Sequence, residues 1–170
     1  MKTSILSGTL LFLLMSFSVS HAVHQTMPSE TYVPLPGPYA HAVYKYITAE
    51  DPYKRWSLWP DKGKLYSGKH PHGALLTTYI NDNARYAIKV GENMVNGSFI
   101  IKENYTPEKK LTAVTVMYKI KGYNPEAGDW FWAKYDAKGK TLKEGKVKGC
   151  IECHSKMKKN DFIFTAPFIK

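Results

Sequence analysis

Two stretches decide the fold: Ser98-Phe99-Ile100-Ile101-Lys102-Glu103-Asn104-Tyr105 and, after Thr106-Pro107-Glu108-Lys109-Lys110, Leu111-Thr112-Ala113-Val114-Thr115-Val116-Met117-Tyr118-Lys119-Ile120-Lys121. Both are rich in β-branched and aromatic residues, and a short polar connection separates them. They read as an antiparallel hairpin. Side chains alternate across a strand, so Phe99, Ile101, Glu103 and Tyr105 share one face, and Ser98, Ile100, Lys102 and Asn104 share the other.

Outward from the hairpin, Asn96-Gly97 makes a turn, Asn81 caps a helix running to about residue 90, and residues 73–80 form a strand. Residues 62–72 are a glycine-rich loop. Glu50-Asp51-Pro52 places acids and a proline where a short helix should start, ending near Trp59. Residues 23–48, with Pro28, Pro34, Pro36 and Pro38, read as an extended lead-in. In the other direction Ala127-Gly128 turns into an aromatic strand over 129–135, and a helix over 147–158 closes the fold. The expected class is α+β: an antiparallel sheet of about four or five strands, short helices, and a C-terminal helix that carries the cysteines.

The chain has 170 residues, 44% hydrophobic and 22% charged, which suits one packed domain. Lys and Arg number 24 against 14 Asp and Glu, for a formal charge of +10. The basic residues are almost all lysine, since arginine occurs only at Arg55 and Arg85. Base-reading proteins lean on arginine, so the charge points to an acidic protein partner or an anionic cofactor and away from nucleic acid. Two cysteines are too few for a disulfide-stapled scaffold. Residues 1–22 read as a secretory signal: Lys2 gives a positive start, residues 5–19 are apolar, and Ser20-His21-Ala22 offers small residues at the cleavage positions. An uncleaved anchor is the alternative, though the apolar run is short for a membrane span. The expected domain is therefore residues 23–170, in the periplasm or secreted.

Gly149-Cys150-Ile151-Glu152-Cys153-His154 contains C-x-x-C-H, the attachment motif of c-type haem. Two thiols three residues apart reach both vinyl positions from one helical turn, and the next imidazole falls beneath the iron. A thioredoxin-like pair would need a βαβ unit, but only 16 residues follow His154. A zinc site would need a second pair of ligands. The reading is one covalently bound haem c, with Cys150 and Cys153 as attachment points and His154 as the proximal iron ligand. Met157 is the only methionine after the motif and lies one turn away on the proximal side, so it cannot supply the sixth ligand.

Export, a β-rich body, a C-terminal C-x-x-C-H and several local phrases together resemble the cytochrome P-460 family and its relative cytochrome c′-beta. The phrases are Gly68-Lys69-x-Pro71, Thr78-Tyr79-Ile80-Asn81, Gly97-x-x-x-x-Lys102-Glu103, Gly128-Asp129-Trp130 and Asn160-Asp161-x-Ile163-Phe164-Thr165. The resemblance implies a monohaem protein, often a homodimer, with a sheet over the distal side of the haem. It also implies either oxidation of hydroxylamine or binding of nitric oxide. In the hydroxylamine-oxidising members a strand lysine is bonded to the porphyrin edge, and Lys102 falls on that position. Their distal arginine and glutamate correspond by counting to Leu76 and to about Val114. A pocket lined by Leu76 and Val114 lacks the base that hydroxylamine oxidation needs and favours small, weakly polar ligands such as nitric oxide. The expected function is nitric oxide binding at an open distal site, with hydroxylamine oxidation and plain electron transfer as alternatives.

Lys102 read by periodicity alone is a solvated strand lysine; the resemblance is what moves it to the haem. His70 and His72 flank Pro71, and His72 shares a face with Ala74 and Leu76. His72 reads either as a loop histidine or as a distal group: a proton shuttle, a sixth ligand or a propionate partner. Met94 and Met117 read as core, and so mostly do Trp130, Phe131, Trp132 and Tyr135. Eight lysines from Lys138 to Lys159, against Glu144 and Glu152, make a positive collar beside the attachment site. That collar suits an acidic redox partner or balances the propionates.

Overall fold

The computed structural model describes residues 33–164. The expected signal segment lies outside the described residues. Helix α1, Ala40–Lys45, continues through a wider turn, Tyr46–Glu50, and a single 3-10 turn follows at Tyr53–Arg55. The strands are β1 Ser57–Leu58, β2 Tyr66–Ser67, β3 Leu75–Ile80, β4 Phe99–Tyr105, β5 Leu111–Lys119, β6 Trp130–Asp136 and β7 Thr141–Gly145. Helix α2, Asp82–Val90, joins β3 to β4, and helix α3, Lys148–His154, runs into a 3-10 segment, Ser155–Asn160. All pairings are antiparallel, in the order β1-β3-β4-β5-β6-β7, with β2 also on β3. The α+β expectation holds, with four long strands, β7 and two strands of two residues.

Register assigns the faces. Thr78, Lys102, Thr115 and Lys134 lie opposite one another across β3 to β6 and so share one face, as do Ile80, Ile100, Met117 and Trp132. The other face carries Tyr79, Ile101, Val116 and Ala133 in one row and Thr77, Glu103, Val114 and Tyr135 in the next. Two cores result. On the second face α1 buries Val43 and Ile47 against Phe99, Ile101, Val116, Tyr118, Phe131 and Tyr135. The Phe99 and Tyr118 rings stack at 4.0 Å, and the Tyr135 hydroxyl donates to the Ala40 carbonyl at 2.7 Å, holding α1 down. On the first face Ile80, Ile100, Met117, Trp130 and Trp132 pack with Ala84 and Ala87 of α2 and with Phe162 and Ile163. Met94 and Met117 are buried core, as expected.

Helix α2 starts where the sequence places it. The Asn81 side chain accepts from the Ala84 N–H at 3.2 Å and from the Phe99 N–H at 2.9 Å, so one residue caps the helix and ties it to β4. Gly91, in the left-handed region with φ +72°, ends it.

Two expectations need correction. The lead-in is extended only to about residue 38, because a helix occupies 40–50. Asp51-Pro52 ends that helix instead of starting one: proline disfavours helical geometry at the residue before it, and Asp51 has φ −134°. The helical signal was the spacing of Ala40, Val43, Tyr46 and Ile47, one buried stripe. The strand β7 was not anticipated either. Its residues are largely exposed, so no apolar alternation marks it.

Candidate functional site

The C-x-x-C-H motif is the last five of the seven residues of α3, with both thiols free and half-buried. Cys150, with Val147 and Ile151, packs against the core of the first sheet face. Burial pushes the Cys150 thiol above its ordinary pKa, and the nearby Lys143 and Lys134 pull it back.

His154 is held by a segment that doubles back over it. Its Nδ1–H donates to the Phe162 carbonyl at 2.6 Å, because a carbonyl can only accept. This fixes the tautomer and leaves Nε2 as a bare lone pair, the arrangement of a metal-bound imidazole. Burial lowers the His154 pKa, the Phe162 carbonyl opposes that, and Lys102 adds to it. The Trp132 ring lies at 4.6 Å and Phe164 at 5.2 Å.

The Phe162 carbonyl is in turn held by a buried ion pair. Asp161 and Phe162 take left-handed backbone angles, φ +50° and +64°, that reverse the chain. Asp161 Oδ1 accepts from Lys119 Nζ at 2.5 Å, its Oδ2 from the Met94 N–H at 2.8 Å, and its carbonyl from Trp130 Nε1 at 2.9 Å. Gly128 leaves the room: a Cβ there would come within 2.8 Å of the Phe162 ring. Burial raises the Asp161 pKa, and the Lys119 charge and these hydrogen bonds oppose the rise.

The sheet supplies the opposite wall. Lys102 lies on the same face as Trp132, and burial lowers its amine pKa to about 8. Among the described residues nothing accepts a hydrogen bond from its Nζ. Leu76, 5% exposed, shares the face, in register with Asn104. His72 stands above that row, with its Nδ1 3.0 Å from Asn104 Oδ1 and its ring 6.4 Å from that of His154. Burial first, and the Lys102 charge second, lower the His72 pKa to about 4. His70 is exposed in the loop.

Val114 does not join this group. It pairs with Glu103 and packs in the core of the other face, so counting to it from Trp130 lands one residue off the wall. Ala113 and Thr115 are the β5 residues on the Lys102 face. The only acid within β4 and β5, Glu103, is fully buried on the far side. It accepts from Tyr53 Oη at 2.8 Å, from Tyr105 Oη at 2.6 Å and from Lys54 Nζ. The aromatic strand is split likewise. Phe131 and Tyr135 are core on the far face, whereas Trp130 and Trp132 line the near one.

Sequence reading missed Asn104, Lys119 and Asp161 as parts of the site, and took Trp132 within an aromatic group that is mostly core with one or two rings at the pocket. Asp161 stood within a quoted phrase, but its partner is 42 residues away.

Together these residues fit a haem. Two thiols stand three apart beside an imidazole whose Nε2 has no hydrogen-bond partner among the described residues, Leu76 offers an apolar wall, and the Lys102 amine has no acceptor among them. The Trp132 Nε1 is also buried without a partner. Among the described residues no group of three His, Cys, Asp or Glu could hold a bare metal ion, so the zinc alternative has no ligand set. No helix among them is long and apolar enough to cross a membrane. A family model for cytochrome P460 matches residues 51–165, well over half the chain. No curated protein matches it.

Proposed function

The chain belongs to the cytochrome P460 family of haem proteins, and from that premise we propose that it is an exported monohaem c-type cytochrome that binds nitric oxide or a similarly small, weakly polar ligand. Bound haem would supply an iron able to take a small ligand. Cys150 and Cys153 would hold it through thioethers, and His154 would present Nε2, its other nitrogen being tied to the Phe162 carbonyl.

The observation that carries the reading is the missing acid. Thr78, Lys102, Thr115, Leu76, Asn104 and Trp132 share the sheet face on which Trp132 meets His154, and none is a carboxylate. Glu103, which could have been the base, is turned to the other face and engaged by two hydroxyls and an ammonium. Hydroxylamine oxidation sheds protons with its electrons, and a positioned base contributes about 10²–10⁴-fold to such steps. Leu76 offers instead a dry contact for a diatomic.

One observation favours the second reading, hydroxylamine oxidation. Lys102 is half-buried, its amine has no hydrogen-bond acceptor among the described residues, and burial lowers its pKa to about 8, which is what a lysine needs to attack a porphyrin edge. The absence of a carboxylate on its own face is the stronger consideration, and we assign Lys102 as an unbonded neighbour of the haem. The lysine collar would steer an acidic redox partner, with weakening at high salt, and a homodimer in the periplasm is the assembly that the family resemblance implies.

The test is a pair of measurements on the purified holoprotein: optical titration with nitric oxide, and hydroxylamine-dependent reduction of an electron acceptor. A saturable spectral change with nitric oxide and no turnover is expected. Steady turnover of hydroxylamine at enzymatic rates reverses the assignment.

A further inference from the structure

We propose that His72 is a second axial ligand, binding the iron through Nε2 in the resting protein and giving way when the small ligand enters. The inference rests on the haem being held by Cys150, Cys153 and His154 as above.

The first support is the hydrogen-bond network around Asn104, which fixes the His72 tautomer. Asn104 Nδ2 donates to the Lys102 carbonyl at 2.9 Å, to the Ala113 carbonyl at 3.2 Å and to Thr115 Oγ1 at 3.3 Å. Two of these acceptors are backbone carbonyls, so the amide cannot be turned over without facing oxygen with oxygen. Its Oδ1 therefore points at His72, and also accepts from the Gly73 N–H at 3.3 Å. An oxygen that only accepts requires a proton on His72 Nδ1. A neutral imidazole with its proton there has a lone pair on Nε2 and no hydrogen to donate.

The second support is the likeness to His154, whose Nδ1 donates to a carbonyl while its Nε2 is left free. Both histidines are prepared in the same way, one by the C-terminal segment and one by the sheet. A hydrogen bond from the other ring nitrogen to a carbonyl oxygen is what orients metal-bound histidines.

The third support is spacing. Two imidazoles on opposite sides of one metal, each about 2.0 Å from it through Nε2, have ring centroids about 6 Å apart. The His72 and His154 rings are 6.4 Å apart, with their planes at 86°. A loop histidine held for structural reasons alone needs the Asn104 bond but has no reason to stand at this separation.

A ligand entering the position must displace His72. Its apparent affinity and association rate then fall in proportion to the fraction of molecules in which His72 is detached. Asn104 is a positioning residue in this scheme, since it acts through His72.

The experiment is ferric electron paramagnetic resonance and visible spectroscopy of the holoprotein, with stopped-flow mixing of the ferrous form with nitric oxide. Expected is a low-spin resting spectrum in the parent and a high-spin one in His72→Ala. Added imidazole should return the variant to low spin. Nitric oxide binding in the parent should saturate with concentration, limited by His72 departure. In His72→Ala it should become linear and about 10- to 100-fold faster at low nitric oxide, for a site otherwise 90–99% closed. Asn104→Leu, which keeps the imidazole but frees its tautomer, should give a mixture of spin states; it serves as the second variant if His72→Ala loses haem.

A high-spin parent that His72→Ala and Asn104→Leu leave unchanged would overturn the proposal. So would low spin that survives in His72→Ala and is lost in Lys102→Ala, which would make Lys102 the ligand. Nitric oxide binding by a high-spin parent would leave the gas-binding function standing while removing this inference. A His72-dependent low-spin state with no nitric oxide binding in either protein would do the reverse.

Discussion

Replacing Asp161 by asparagine should be among the most damaging single changes, although Asp161 touches neither thiol nor imidazole. The Lys119 and Asp161 side chains are only 10% and 5% exposed, and their charged atoms are 2.5 Å apart. Asp161→Asn keeps the volume and an acceptor for the Met94 N–H but leaves a buried ammonium. What remains to Lys119 is the Gly128 carbonyl at 2.7 Å and the Trp130 ring at 4.5 Å, both already present in the parent and therefore no compensation. Breaking a buried pair from one side costs about 3–5 kcal/mol. Lys119→Met should cost a similar amount, because the carboxylate then keeps only the Met94 N–H. The double variant carries no buried charge and should lie within about 1 kcal/mol of the parent. Urea unfolding followed by circular dichroism measures all four proteins, with equal slopes as the check on two-state behaviour. The reduction potential should move in parallel, since the next carbonyl in the chain orients His154. Asp161→Asn within 1 kcal/mol of the parent, or a double variant as weak as the two single losses together, would refute the reasoning.

Val114→Glu should unfold the protein and create no activity, because it buries an acid beside Glu103 in the far core; Thr115→Glu puts the acid next to Lys102 and should raise hydroxylamine turnover above background. Activity gained by Val114→Glu in a stable protein would show the face assignment to be wrong. Lys102 sets a pH dependence. Its folded pKa of about 8 lies below the ordinary 10.5, so the burial cost is fully present below pH 8 and fades as pH rises to 10.5. Lys102→Met should therefore be more stable than the parent at pH 7, by on the order of 3 kcal/mol, with the gap closing by pH 10.5. A tryptic peptide joining the Lys102 and Cys150 segments through haem would disprove the unbonded assignment. His154→Ala should keep the mass of one attached haem while changing the ferrous spectrum, and an unchanged spectrum would remove His154 as proximal ligand.

The sequence by itself determined the parts of this protein whose physics is local. A C-x-x-C-H spacing is one helical turn, so Cys150, Cys153 and His154 could be read together as a haem-attachment motif before any fold was known. The strands read over 73–80, 98–105 and 111–121 from β-branched residues and bounding turns form over 75–80, 99–105 and 111–119, and Asn81 was legible from its capping position. Alternation already separated Lys102 from Glu103. What alternation could not carry was parity across a connection. Counting from Trp130 to the distal acid position crosses the turn before β6, and a shift of one residue there moves a side chain through the sheet, which is how Val114 was taken for a wall residue. Helix α1 was hidden because prolines at 34, 36 and 38 dominate its approach, and β7 because an exposed edge strand has no buried face to write a pattern. Only the tertiary structure joined His72 to Asn104 across 32 residues and Lys119 to Asp161 across 42. The first fixes which nitrogen of His72 is free, and the second holds the segment whose Phe162 carbonyl does the same for His154. That depends on partners distant in the chain, which local spacing does not encode.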